Sequence, residues 1–478
     1  VDIYTTLKEK FGFEQFRPGQ EEVIRDVLAK NDQIAILPTG SGKSLCFQLP
    51  AYLMDGTVVI ISPLVALMED QVAILKQQGE KRVVALNSFH TYQERSRMIN
   101  QLEWYKFIFI SPEMLTVPAV ANKMKKLKIA FIVVDEAHCI SQWGFDFRPD
   151  YLRVSEFLHA VKNPTVLALT ATADRKVIQD IQHYLNLINP VLHKKSLDRP
   201  NISYTIHELT SEQAKTDWLI DRVEQTTGPG IIYVGSRKRA DELAQVLNEL
   251  IGGVSSYHAG MEQEDRAFVQ AQFISGDLNW ICATNAFGMG IHKNDVRQVI
   301  HEHIPSTIAN YMQEVGRAGR DGECSAASLL YTIEDIQKTR FIMYDDYPDE
   351  GEIRYFANCL AETKSVHEAA ELARLSETGR RMLLYYFERM SVEETIIQIN
   401  KQSQEKERQL QQMVDLIQAR TCIRVKLLQN FGEDLQKKPK TCCSICDTTS
   451  VDWLYSKDAR QDERGWGDWS TRLTNLLG

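Results

Sequence analysis

The sequence predicts an α/β chain, with two parallel-sheet domains in tandem followed by a helical region. Three observations carry this reading. Short apolar runs alternate with amphipathic segments from about residue 20 to 335. A break at Asp198-Arg-Pro-Asn201 divides those runs into two series. From about 335 to 440 the pattern turns helical, with polar stretches such as Gln402-Ser-Gln-Glu-Lys-Glu-Arg408. A length of 478 residues fits about three domains at roughly 150 residues each.

The first series contains Ile34–Leu37, Val58–Ile61, Phe107–Ile110, Phe131–Val134 and Val166–Leu169. The second contains Gly230–Val234, Trp280–Ala283, Gln298–His301 and Ala327–Tyr331. Such brief, continuously apolar runs, rich in β-branched and aromatic residues, are the pattern of parallel strands buried on both faces. In sheets of this kind the loops at the strand C-terminal ends carry function. The expected domains are 1–200, 201–338 and 339–450, with a tail at 451–478.

Hydrophobic residues at 44% and charged residues at 25% are ordinary for a soluble globular chain. The longest apolar stretch, Val58 to Met68, is broken by Ser62-Pro63 and is too short for a membrane span of about 20 residues. Val1-Asp-Ile-Tyr shows no secretory signal, so a cytoplasmic location is expected. The lack of an initiator Met points to a processed or trimmed start. A net charge of −9 does not exclude nucleic acid, because binding depends on where Lys and Arg lie. Cys46, Cys139, Cys282, Cys324 and Cys359 stand singly in apolar context and read as reduced core thiols.

Three motifs occur in order. In Thr39-Gly-Ser-Gly-Lys-Ser44, which follows a strand, Thr39, Gly40, Ser41 and Gly42 form a loop whose amides can close on phosphates at a helix N-terminus. Lys43 would meet the β- and γ-phosphates and Ser44 would hold Mg²⁺; Leu37 stands where the general pattern has its first Gly. In Asp135-Glu-Ala-His138, Asp135 suits a Mg²⁺ held through water, Glu136 suits orienting the attacking water, and His138 would couple nucleotide state to the opposite domain.

The third motif is Gln313-Glu-Val-Gly-Arg-Ala-Gly-Arg-Asp-Gly322. Its Arg317 and Arg320 are three apart and are expected on one helix face, out of reach of Lys43 within their own domain. If the two domains close around ATP, these arginines act on the γ-phosphate. Together the three motifs describe a nucleic-acid-driven ATPase motor.

Further strings make a family resemblance specific. They are Leu7-x-x-x-Phe11-Gly12-x-x-x-Phe16-Arg17-x-x-Gln20, Ser62-Pro-Leu-Val-Ala-Leu-Met-Glu-Asp-Gln71, Ser111-Pro-Glu113, Tyr257-His-Ala-Gly260 and Ala286-Phe-Gly-Met-Gly-Ile291. The most discriminating is Cys139-Ile-Ser-Gln-Trp-Gly-Phe-Asp-Phe-Arg-Pro-Asp-Tyr151. The chain resembles RecQ-family DNA helicases of helicase superfamily two over residues 1 to about 335 and again at 420–447. The resemblance implies two RecA-like motor domains followed by a helical zinc-binding region. It implies that Gln20 reads the adenine edge, that Arg17 belongs to the same motif, and that Phe13 or a neighbour stacks on the ring. Trp143, Phe145 and Phe147 are costly to expose without something to stack on, and bases are suitable partners. Arg148 can add a phosphate or cation–π contact. His292 stands where the family usually has Asp or Asn, which weakens a ribose contact there.

Cys422, Cys442, Cys443 and Cys446 form the remaining cysteine group. The resemblance implies structural Zn²⁺, but Thr449 replaces the family's last ligand, and Cys442 could take its place. Residues 365–390 read as helix, turn, helix, with Ala369, Leu372 and Ala373 facing Met382, Leu383 and Tyr386. The Ser376-Glu-Thr-Gly379 turn suits either a helix-turn-helix module or a plain helical hairpin. About thirty residues follow Asp447, so a short form without winged-helix and C-terminal helical nucleic-acid-binding domains is expected.

The expected activity is an ATP-dependent DNA helicase, tracking 3′ to 5′ as the resemblance implies, for repair or recombination. An RNA substrate, or an ATP-gated clamp that does not unwind, are the alternatives. Expected partners are single-stranded and tailed duplex DNA and repair or single-strand-binding proteins, with the chain itself a monomer near the nucleoid. Trp466-Gly-Asp-Trp469 could dock a partner or pack on the body.

Overall fold

A computed structural model describes residues 2–87, 90–141, 149–226, 228–288, 293–344, 347–362, 365–446, 451 and 454. Two parallel sheets form its frame. The first holds β1 (Gln33–Ile36), β2 (Thr57–Ile61), β3 (Val83–Leu86), β4 (Phe107–Ile110), β5 (Ile129–Val134), β6 (Val166–Thr170) and β7 (Val191–Lys194). Its strand order is β3-β4-β2-β5-β6-β1-β7. The second holds β8 (Ile202–Glu208), β9 (Gly230–Tyr233), β10 (Val254–Tyr257), β11 (Trp280–Ala283), β12 (Gln298–His301) and β13 (Ser325–Tyr331), in the order β10-β11-β9-β12-β13-β8.

The interior strands β1, β2, β4, β5 and β6, and β9, β11, β12 and β13, are those the apolar runs predict, with ends shifted by a few residues. The four strands not singled out, β3, β7, β8 and β10, are the sheet edges. An interior parallel strand is covered on both faces and is mostly apolar along its length. Edge strands escape that demand, as Val-Leu-His-Lys in β7 and Val-Ser-Ser-Tyr in β10 show.

One apolar core runs from Ile34 and Ile132 of the first sheet through Tyr204 to Val299 of the second, and on to Met413 and Leu427 beyond it. The motor domains and the zinc region therefore share packing. Residues Glu350–Ala361, Val366–Leu372, Glu377–Phe387 and the start of Val392–Ile417 build a separate helical unit around Ile353, Phe356, Ala369, Met382, Tyr386 and Ile399. Ala369 and Ala373 face Met382, Leu383 and Tyr386 as expected, but Leu372 is 45% exposed and Ala370 takes the buried place. Ser376 accepts from the Gly379 amide as the N-cap of Glu377–Phe387, so Glu377 to Gly379 are that helix's first turn rather than a link before it.

The unit leans on the first motor domain through Arg153–Glu388 at 2.6 Å, Arg389–Glu156 at 2.8 Å and Arg381–Asp150 at 3.9 Å. No helix among the described residues is long and apolar enough to cross a membrane.

Candidate nucleotide site and metal centre

β1, β6 and β5 lie side by side, so the loops leaving their C-terminal ends meet. The phosphate loop follows β1, Thr170 closes β6, and Asp135 follows β5. Gly40 and Gly42 adopt φ of 81° and 76°, the left-handed region that glycine enters without strain. A Cβ at Gly42 would also lie 2.7 Å from Gln20 Nε2, so the Gln20 side chain would have to give up its place on the loop. The Gln20 amide donates to the Ser41 and Gly42 carbonyls at 2.8 and 3.1 Å, and its Oε1 accepts from the Arg17 amide at 2.9 Å. The Arg17 side chain donates to the Gly40 carbonyl. The N-terminal motif thus holds the phosphate loop directly, with Phe13 exposed beside it. Lys43 Nζ lies 3.4 Å from the Leu37 carbonyl, and Ser44 Oγ donates to Gln71 at 3.2 Å.

Glu136 sits at φ 47°, a left-handed conformation uncommon for a residue with a side chain. Strain of this sort gathers at functional sites. Its Oε2 is buried 3.4 Å from His138 Nδ1, and that nitrogen is 2.9 Å from Thr170 Oγ1. His138 is therefore engaged within its own domain at the end of β6. Burial and the Glu136 charge raise the Asp135 carboxyl well above the usual carboxylate range, with Lys43 opposing the rise. A cation at Asp135 would favour the ionised form, which is the behaviour wanted of a metal-holding acid. The Tyr151 hydroxyl donates to the Asp135 carbonyl at 2.9 Å, tying the end of the aromatic-rich segment to the acid. Trp143, Phe145, Phe147 and Arg148 themselves, like His292, lie outside the described residues.

The arginine motif differs from expectation in its backbone. The helix Ile308–Val315 stops at Gly316, and Arg317 to Arg320 follow in a turn with Gly319 at φ 53°, so the two arginines do not share a helix face. The two side chains take different partners. Arg317 is buried and donates to the Gly288 carbonyl of its own domain. The aliphatic part of Arg320 packs against the first domain, its Cγ lying 3.0 Å from where a Cβ on Gly40 would stand. Contact between the domains is close enough to require glycine at 316, since a Cβ there would fall 1.8 Å from Thr39 Oγ1. That hydroxyl donates to the Gly316 carbonyl at 2.9 Å. Gln313 lies buried one turn before, lining a 1410 Å³ cavity shared with Pro63, Pro112, Thr284 and Arg381. Arg199, which sequence reasoning passed over as part of a domain break, lies against Thr39 and Gly316.

At the far side of the domain junction the sulfurs of Cys422, Cys442, Cys443 and Cys446 all lie within 4.8 Å of one another. Cys422 Sγ is 3.6 Å from Cys442 Sγ and 3.9 Å from Cys443 Sγ. Tetrahedral Zn²⁺ with bonds of about 2.3 Å separates its sulfurs by about 3.8 Å, whereas a disulfide needs about 2.05 Å. The donor set therefore fits zinc, with Cys442 in the fourth place; Thr449 lies outside the described residues. The Cys442–Ser444 segment pairs with β8, Tyr204 donating to the Cys442 carbonyl at 3.2 Å and accepting from the Ser444 amide at 2.9 Å. Cys443→Ser is expected to lower bound zinc and the melting temperature together, because a structural metal contributes folding energy. Metal analysis and a thermal melt on the same preparation check this; zinc-free wild type with full stability would count against it.

The fold and site define a class of protein, a two-domain nucleic-acid-dependent ATPase motor with an appended thiolate metal site. Family models agree: DEAD/DEAH box helicase matches residues 17–181, the helicase conserved C-terminal domain 214–322, and RecQ zinc-binding 386–448. The chain belongs to the RecQ family of ATP-dependent DNA helicases. It is 41% identical to the probable ATP-dependent DNA helicase RecS of Bacillus subtilis, over 99% of this chain and 98% of that one. It is 38% identical to the ATP-dependent DNA helicase RecQ of Pasteurella multocida, over 80% of this chain but only 59% of that relative's length. Among solved structures it superposes on the DEAD-box helicase Mss116 bound to single-stranded RNA with a TM-score of 0.59 at 17% identity, over 86% and 90% of the two chains. It superposes on the Mycobacterium smegmatis helicase Lhr at 0.57 and 20%, over 80% and 58%. At those identities the likeness is one of fold.

Proposed function

We propose that this helicase tracks along single-stranded DNA from 3′ to 5′ and separates tailed duplexes during DNA repair or recombination, as a cytoplasmic, nucleoid-associated monomer working with other repair or single-strand-binding proteins. The observation that carries the motor reading is Arg320 of the second domain lying on Gly40 of the first. Hydrolysis then needs both domains in contact, and making and breaking that contact with each ATP is a stroke.

Lys43 receives the β- and γ-phosphates, and Ser44 and Asp135 hold Mg²⁺, which supplies charge neutralisation on those phosphates. Glu136 orients the attacking water, with His138 Nδ1 3.4 Å from its buried Oε2. Gln313, Arg317 and Arg320 complete the site from the second domain. Phe13, Arg17 and Gln20 meet the adenine. Because Arg17 and Gln20 also hold the phosphate loop, base recognition reaches the loop without an intermediary. Trp143, Phe145, Phe147 and Arg148 stack on and pair with the strand, and Tyr151 relays their position to Asp135.

The test is ATP turnover with single-stranded DNA, with RNA and with neither, followed by strand release from 3′- and 5′-tailed duplexes. Stimulation by DNA and release of the 3′-tailed substrate alone is the expected result. Stimulation by RNA only, release from 5′ tails, or turnover with no release would each replace the reading with a different one.

A further inference from the structure

Arg199 lies in the connection from β7 to β8, yet its guanidinium reaches both walls of the nucleotide cleft. Nη1 donates to the Thr39 carbonyl at 3.4 Å and the Gly316 carbonyl at 3.5 Å. Nη2 donates to the carbonyls of Ala318 at 3.0 Å and Gly319 at 2.5 Å. Thr39 opens the phosphate loop that carries Lys43, and 316–319 form the turn that aims Arg320. All four acceptors are main-chain oxygens, so the planar fork fixes backbone against backbone instead of neutralising an acid. Its positive charge is left beside Arg320, which burial, Arg317 and Arg199 together lower from the usual arginine value.

Arg199 is itself held from behind. Arg424, 1% exposed, donates to the Arg199 carbonyl at 3.0 Å and to the Ile202 carbonyl, and pairs with Asp198. It stands two positions after Cys422 of the thiol cluster, stacked over Tyr204, the residue that pairs with the Cys442–Ser444 segment. A continuous set of contacts thus runs from the cysteine cluster through Arg424 and Arg199 to the phosphate loop and the arginine turn.

We infer that Arg199 is a positioning residue for ATP hydrolysis, setting the phosphate loop and the arginine turn in register, with Arg424 securing it to the zinc region. The inference rests on the interdomain reading of hydrolysis given above. A lysine at 199 keeps the charge, but its single ammonium cannot span acceptors on two domains as the fork does.

In the full chain, Arg199→Lys should lower kcat of DNA-stimulated ATP hydrolysis about 10²-fold, the scale of an ångström-level misplacement. KM for ATP, zinc content and melting temperature should stay near wild type. A kcat equal to wild type would overturn the brace. Arg424→Gln, which removes no sulfur and no nucleotide contact, should lower kcat in the same direction with zinc retained. The double variant should be no worse than the poorer single, because both act through one contact chain. Multiplying effects in the double, or a folded, zinc-loaded R424Q with wild-type kcat, would overturn the link to the zinc region even if R199K failed to fold. The underlying reading fails separately: an Arg320→Ala variant with full turnover defeats the interdomain site, whereas an inactive R320A beside a fully active R199K defeats the brace alone.

Discussion

Lys43→Ala is expected to reduce ATP hydrolysis by at least about 10³-fold, with or without DNA, while the protein keeps its fold and most of its affinity for single-stranded DNA. The rate loss follows from removing a fixed cation aimed where charge gathers on the transferred phosphoryl group, a contribution that a water-excluded site makes large. The fold survives because Lys43 makes one long bond, to the Leu37 carbonyl at 3.4 Å, worth no more than about 1 kcal/mol. Lys43 also opposes the rise of the Asp135 carboxyl, so its loss leaves that buried acid still harder to ionise and should weaken Mg²⁺ at the site as well. Strand affinity comes mainly from phosphate contacts elsewhere and should fall little. Steady-state turnover, a thermal melt and DNA titration of one preparation check all three parts. Appreciable turnover by the pure variant would remove the phosphate-loop assignment.

Arg320→Ala should cost about 10³–10⁵ in kcat, the range for an arginine brought to the γ-phosphate from another domain. Nucleotide affinity should be nearly unchanged, since this cation acts mainly on charge that develops during transfer. The expectation differs for its neighbour in the motif. Arg320 lies on Gly40, and burial with Arg317 and Arg199 nearby brings its guanidinium down to about 10, a crowding of like charge that an incoming phosphate relieves. Arg317 is turned to the Gly288 carbonyl of its own domain. Replacing Arg317 should therefore disturb the second domain's own loop at Gly288 and lower kcat through it. Comparing kcat and nucleotide dissociation constants of the two variants separates the roles. A kcat for R320A within tenfold of wild type, on the order of 1.4 kcal/mol, would be too small for a transition-state cation.

Much of the frame is legible without coordinates because its causes are local. A strand buried on both faces is mostly apolar, and the nine interior strands are read from such runs even though β12 carries Gln298 and His301 and β13 carries Ser325 and Ser328. Edge strands obey no such demand, and β7, β8 and β10 carry His, Lys, Ser, Thr and Glu that resemble loop residues, whereas the edge strand β3, Val-Val-Ala-Leu, is as apolar as an interior one and polar edge residues do not explain its being passed over. Helical period alone places Leu372 inward, but it stands 45% exposed while Ala370 and Ala373 on either side of it are buried in the unit's core. The break near residue 200 is visible, but the roles of Arg199 and Arg424 are not, since Arg199 bonds main-chain carbonyls and Arg424 bonds carbonyls and the Asp198 carboxylate 226 positions away.

By itself the sequence determined which chemistry the chain carries. The phosphate loop, the Asp135–Glu136 pair, the Gln313–Gly322 motif and the thiols of Cys442, Cys443 and Cys446 are each written in one short stretch, where neighbours along the chain are also neighbours in space. Only the tertiary structure decided how those pieces face one another. Thr39 and Gly316, 277 positions apart, meet at 2.9 Å, and Arg320 rather than Arg317 packs against Gly40. Cys442 joins Cys422 across 20 positions to complete the metal set. Contacts at such separations are set by how whole sheets and helices pack around the shared core, and residue spacing holds no information about that packing.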